Sequence, residues 1–133
     1  MKEFNWQVRV YYEDTDTGGV VYYANYLKFM ERARTEWLRS FGIEQDALRD
    51  QFGVIFAVRK VEIDYLLPAK FNDELVVTAK VNKKGKASIT FEQNIKKNAD
   101  LLATATIKIA CLDAELFKPV SMPIEIIKTL LGE

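Results

Sequence analysis

From Tyr22 onward the large apolar residues recur at Tyr22, Tyr26, Phe29, Met30, Ala33, Trp37 and Phe41. This i, i+3, i+4, i+7 spacing predicts one long helix with a wide apolar face. Lys28, Glu31, Arg32, Thr35, Glu36 and Arg39 fall on the other face, where Arg32 with Glu36 and Glu31 with Arg34 are spaced to pair. Gly42 supplies a left-handed stop.

Elsewhere the period shortens to two. Residues 4–12 predict a strand with Phe4, Trp6, Val8 and Val10 on one face. After the long helix, Ile43 to Phe52 reads as a short second helix ended by Gly53. In the stretch Val54 to Leu67, Val54, Phe56 and Val58 are in one phase, and Val61, Ile63 and Tyr65 are in the other. The phase changes at Arg59-Lys60, which predicts a bulge that lets both halves turn their apolar side inward. Pro68 and Asn72-Asp73 then mark a connection. Two alternating runs follow, from Leu75 to Val81 and from Ile89 to Ile95, joined by a basic turn at Lys83-Lys84-Gly85-Lys86. A last strand spans Leu101 to Leu112, with small residues suited to packing under a helix, and Ile124 to Leu131 predicts a C-terminal helix after Pro123. One dominant helix followed by four strands in meander is an α+β pattern, with the sheet laid against the helix.

At 133 residues, residues 1–133 are expected to form one domain with one core. Lys plus Arg and Asp plus Glu number 19 each, so no overall field favours nucleic acid. Cys111 is the single cysteine; it excludes an internal disulfide and reads as a buried small residue. The N-terminus lacks the apolar region of a signal peptide and no run approaches a membrane span, so a soluble cytoplasmic protein is expected. The absence of histidine restricts chemistry most. Ser-His-Asp and Cys-His catalysis, histidine metal sites and histidine-based dehydratases are excluded, and acid-base work must fall on a carboxylate, tyrosine, lysine or water.

The chemistry concentrates between Tyr11 and Tyr23. An acidic run, Glu13, Asp14 and Asp16, leads to Gly18-Gly19 and then to the helix start. Adjacent glycines let the backbone approach a ligand closely, and the first N–H groups of a helix lack intrahelical partners. A carboxylate at Asp16 beside such donors is a hydrolase-like constellation, although Asp is also a common turn-former and helix cap. Asp14 and Glu13 read as structural or solvated. Calcium is disfavoured: a loop numbered from Asp14 puts Gly18 at its fifth position and Asn25 at its twelfth, where a glutamate is required. Lys83, Lys84 and Lys86 suit either a solvated turn or a phosphate contact.

The stretch VRVYYEDTDTGGVVYYANYLKFMERARTEWLRSFG, with FAVRKVEIDYLLPAKFNDEL downstream and Lys118-Pro119, closely resembles the hotdog-fold acyl-CoA thioesterases, nearest to the YbgC type and the hydroxybenzoyl-CoA thioesterases. The resemblance implies a five-stranded antiparallel sheet wrapped around a central helix and a homodimer or dimer-of-dimers tetramer with active sites at the subunit interface. It also implies hydrolysis of acyl-CoA without metal or further cofactor, coenzyme A being part of the substrate. The family's catalytic aspartate falls on Asp16, and the backbone N–H thought to polarise the thioester carbonyl falls on Tyr23, where YbgC-type members commonly carry histidine. Gly19, Val20 and Tyr22 are then expected to contact substrate, and Val58, Arg59 and Lys60, at the bulge, to line a pantetheine channel. The rival reading is a hotdog module that binds acyl-CoA or an acyl carrier protein without cleaving it.

Overall fold

The computed structural model describes residues 2–132. Its elements are β1 (Phe4–Arg9), α1 (Asn25–Arg39), α2 (Gln45–Phe52), β2 (Val54–Tyr65), β3 (Glu74–Lys84), β4 (Ser88–Lys97), β5 (Asp100–Asp113) and α3 (Ile124–Leu131). The strands form one five-stranded antiparallel sheet in the order β1-β3-β4-β5-β2, and α1 packs against its face in the hotdog arrangement.

The expected meander holds for β3, β4 and β5 but not for β2. This strand pairs with β5 at the far side of the sheet rather than with β3, whose free side is taken by β1. Antiparallel β1 and β3 close a short path around the loop Val10 to Val21: the Val10 N–H donates to the Asp73 carbonyl at 2.9 Å and Asn72 returns a bond to Val10 at 2.9 Å. The long connection after Tyr65 leaves room for the crossing. The bulge falls where the phase change put it, with register jumping from Val58↔Ile109 to Lys60↔Lys108 and Arg59 left unpaired.

Tyr26, Phe29, Met30, Ala33 and Trp37 of α1 are buried, together with Leu38. Removing such side chains from a packed core costs about 3–5 kcal/mol for Phe→Ala and about 2–5 for Met→Ala, so this stripe holds helix and sheet together. Tyr22 and Phe41, expected on the same stripe, are exposed because α1 begins three residues later, at Asn25, and ends at Arg39. Gly42 has φ +78°, and bonds from the Gly42 N–H to the Arg39 carbonyl and from the Ile43 N–H to the Leu38 carbonyl complete a Schellman ending. On the solvated face Glu36 pairs with Arg39 at 2.9 Å rather than with Arg32, and Arg39 also reaches Glu44 at 3.0 Å. β1 is shorter than expected and leaves Trp6 exposed, since it is an edge strand.

Candidate active site

The loop between β1 and α1 is built by its own polar groups. A single 3-10 turn, Tyr12–Asp14, buries Asp14 to 9 % exposure. The Asp14 Oδ2 accepts the Tyr11 N–H at 2.8 Å, and its carbonyl accepts the Tyr22 N–H at 3.0 Å and the Asn25 Nδ2 at 2.8 Å. Asp14 thus ties the loop to the first turn of α1, the structural role expected of it. Tyr12 stacks on Phe71 with ring centroids 3.9 Å apart, clamping the stem from outside.

Asp16 opens a tight hairpin. Thr15 bridges Val21, the Asp16 N–H donates to the Val20 carbonyl at 2.9 Å, and the Gly19 N–H donates to the Asp16 carbonyl at 3.1 Å. Gly19 sits at φ +78°, the left-handed residue that a three-residue hairpin loop requires. The Asp16 Oδ1 accepts the Gly18 N–H at 2.8 Å; Oδ2 has no partner among the described residues. The expectation that the diglycine pair abuts the helix with free amides is therefore corrected: both N–H groups are taken by Asp16, and five residues separate Gly19 from Asn25. Val20 is pinned through a bridge to Lys70, with Val21 N–H on the Ala69 carbonyl at 2.8 Å.

The unclaimed donors lie further on. Among the described residues no protein oxygen accepts the N–H of Tyr23 or of Ala24. Ala24 caps α1 without any side-chain bond. Two consecutive N–H groups at the positive end of a 15-residue helix make a place for a polarised oxygen. Tyr23 is 62 % exposed, its ring 4.9 Å from Tyr22 and 6.3 Å from Tyr65. Hydrogen bonding to the Tyr23 side chain, then repulsion from it, raises the Tyr22 hydroxyl above its ordinary value, so at neutral pH Tyr22 is a donor and not a base.

One chain gathers Asp16, Gly19, Val20, Tyr22 and Tyr23 on one loop but does not bring Val58, Arg59 and Lys60 to them. The end of β2 at Tyr65 reaches Tyr23; six residues of strand, roughly 20 Å, lead back to Arg59. Asp16 is exposed, and Val58 lines two cavities elsewhere: one of about 140 Å³ shared with Arg34, Trp37 and Phe91, the other of about 450 Å³ with Ala110 and Phe117. Lys60 is already paired with Glu62 at 2.9 Å. The basic turn at Lys83 to Lys86 stands at the opposite end of β3 from the loop. No group of three or more metal-ligating side chains occurs among the described residues, and no helix is long and apolar enough to cross a membrane. The sequence reading missed Asn25 and Tyr65, which hold the loop and the helix start; an asparagine opening a helical pattern was the available signal for the first.

Comparison with known proteins identifies the family of the chain. Residues 18–104 match the family model of the thioesterase superfamily. The acyl-CoA thioesterase YbgC of Haemophilus influenzae is 47 % identical over 92 % of this chain and 90 % of its own length. The acyl-CoA thioester hydrolase YbgC of Escherichia coli is 44 % identical over 93 % of this chain and 92 % of its own. Among solved structures, a probable thioesterase from Bartonella henselae superposes with a TM-score of 0.88 at 36 % identity, covering 92 % of this chain and 100 % of that one. With that family model matched over residues 18–104 and these relatives alike over nearly the whole length, the chain belongs to the thioesterase superfamily.

Proposed function

We propose that the chain hydrolyses acyl-CoA thioesters to a carboxylic acid and free CoA, with Asp16 as the catalytic carboxylate and the Tyr23 and Ala24 N–H groups as donors to the carbonyl oxygen. The observation that carries this is the pair of unclaimed N–H groups at the start of α1, on the same loop as a carboxylate with one oxygen anchored and the other unpartnered. The acyl-CoA class is supported by the names of relatives 44–47 % identical. As the thioester carbon becomes tetrahedral, charge moves onto its oxygen, where oriented donors stabilise it more than they stabilise the ground state. Asp16 either takes a proton from water as that water bonds to the carbon, or bonds to the carbon itself to give an anhydride that water opens. In both routes the C–S bond breaks and CoA leaves as a thiolate that then gains a proton. With no histidine in the chain and the Tyr22 hydroxyl raised, the carboxylate is the group suited to this work.

A complete site takes two copies in this reading. The outer side of β2, a 12-residue strand at the edge of the sheet, has unpaired backbone groups of the kind that join sheets, giving a homodimer or a dimer of dimers. Val58, Arg59 and Lys60 of the second copy then face the loop, and Arg59, which the bulge takes out of the ladder and no acid pairs among the described residues, suits the CoA phosphates better than the Glu62-bound Lys60. The substrate brings coenzyme A with it, so this reading calls for no other cofactor, and a cytoplasmic setting is the one it fits.

One observation favours a second reading, a module that binds acyl-CoA or an acyl carrier protein without cleaving it: the Asp16 Oδ1 already serves the hairpin. Thiol release decides between them. Asp16→Asn keeps an oxygen for the Gly18 N–H and removes the charge, so the loop should stay folded while turnover on a panel of short, long and aromatic acyl-CoAs falls by about 10²- to 10⁴-fold. Full turnover by folded Asp16→Asn refutes the assignment, and binding without thiol release by the wild type establishes the module.

A further inference from the structure

The two unclaimed N–H groups belong to peptide units whose carbonyl ends are gripped. The Tyr22 carbonyl, in the same planar unit as the Tyr23 N–H, accepts the Asn25 N–H at 2.8 Å. The Tyr23 carbonyl, in the same unit as the Ala24 N–H, accepts the Tyr65 hydroxyl at 3.0 Å. The helix does not claim this carbonyl. Leu27, whose N–H would reach it in the regular i to i−4 pattern, donates to the Ala24 carbonyl instead at 3.2 Å.

We propose that Tyr65 is a positioning residue for the thioester reaction: its hydroxyl, through the Tyr23 carbonyl, fixes the plane of the Tyr23–Ala24 peptide and strengthens the Ala24 N–H as a donor to the substrate oxygen. This rests on reading that N–H pair as the oxyanion donors. The peptide plane cannot rotate its N–H away without breaking the bond at its other end, and a carbonyl that accepts a hydrogen bond polarises the N–H across the same unit. The Tyr65 ring is oriented for this. It meets Tyr26 edge-on at 5.2 Å and Tyr23 at 6.3 Å, and Tyr26 is itself buried, with its hydroxyl accepting the Ala69 N–H at 2.9 Å. Burial, then the neighbouring Tyr23 and Tyr26, hold the Tyr65 hydroxyl above its ordinary value, so it remains a donor across the assay range.

Tyr65→Phe deletes only the hydroxyl and keeps the ring contacts. It should lower kcat by about two- to tenfold, the worth of one hydrogen bond, with KM little changed. Two stable analogues sharpen the test: a ketone with CH₂ in place of sulfur, which keeps the carbonyl, and a thioether, which lacks it. Tyr65→Phe should bind the ketone more weakly by the same factor and the thioether as tightly as wild type; a merely structural role weakens both together. Substituting 3-fluorotyrosine, a stronger donor of nearly the same shape, should keep kcat at or above the wild-type value. Wild-type kcat and ketone affinity in Tyr65→Phe, equal weakening of both analogues, or a fall to the Phe level with fluorotyrosine overturns the proposal. If Asp16→Asn abolishes turnover while Tyr65→Phe changes nothing, the positioning role alone fails; if Asp16→Asn is fully active, the reading of the loop fails first.

Discussion

Gln93 gives the sharpest stability test, because a fully buried amide lies at the middle of β4 directly beneath α1. Its Nε2 donates to the Met30 carbonyl of α1 and the Thr78 carbonyl of β3, both at 3.1 Å, and its Oε1 accepts the Arg34 Nη1 at 2.9 Å. Burial lowers the Arg34 guanidinium to about 10 against the opposing pull of Glu31, so Arg34 remains charged at neutral pH. No carboxylate lies within ion-pair distance of it among the described residues. Gln93→Met keeps side-chain size and removes all three bonds. Two neutral hydrogen bonds at about 1 kcal/mol each and one to a charged group at about 2, less about 1 to 2 regained from apolar burial, give an expected loss of about 2–3 kcal/mol. Urea unfolding should show the midpoint falling with the slope unchanged. Part of the loss is a half-buried charge left without its partner, so adding Arg34→Met should recover some of it, since a desolvated charge without a partner is worse than an apolar replacement of the pair. A Gln93→Met protein within about 0.5 kcal/mol of wild type, or no recovery in the double variant, refutes the reasoning.

Asp73 links stability to acid. Burial opposes its ionisation, but the Lys97 ammonium at 2.9 Å and the Lys70 N–H at 2.9 Å outweigh this and hold its carboxyl below the usual range. Its contribution is thus fully present above the ordinary carboxylate pKa, about 3.9, and is lost as pH falls through the lowered folded value. Wild type should exceed Asp73→Asn by a constant margin from neutral pH to mildly acidic pH, and the margin should shrink in more acidic buffer; a margin independent of pH sinks the linkage. Cys111 is wholly buried and burial pushes its thiol up to about 11, so a disulfide reagent following CoA release should find no protein thiol in the native state and one per chain in urea. Native labelling on the assay timescale contradicts that burial.

What could be read from the chain alone was whatever repeats at short range. The stripe Tyr26 to Trp37 and the stop at Gly42 depend on spacings of three to five residues. The bulge at Arg59 showed because the period-two pattern changes face there, and a strand with both halves turned inward must slip register at that point. Periodicity says which face of a strand is buried and not which strand lies beside it, so the move of β2 to the far side of β5 was invisible. The same limit shaped the site. A diglycine pair reads equally as a close approach to ligand or as a hairpin tip, and what decides between them is the Ala69 carbonyl on Val21 and the Lys70 bridge to Val20, some fifty residues away. The Asp16 contact with the Gly18 N–H is local and was weighed from the sequence as turn chemistry. The grip of Tyr65 on the Tyr23 carbonyl spans 42 residues and leaves no mark in the pattern, since an aromatic at the end of a strand is expected wherever a sheet packs. If the donors at the start of α1 do act on a thioester, the group that sharpens them is one that periodicity could only count as core.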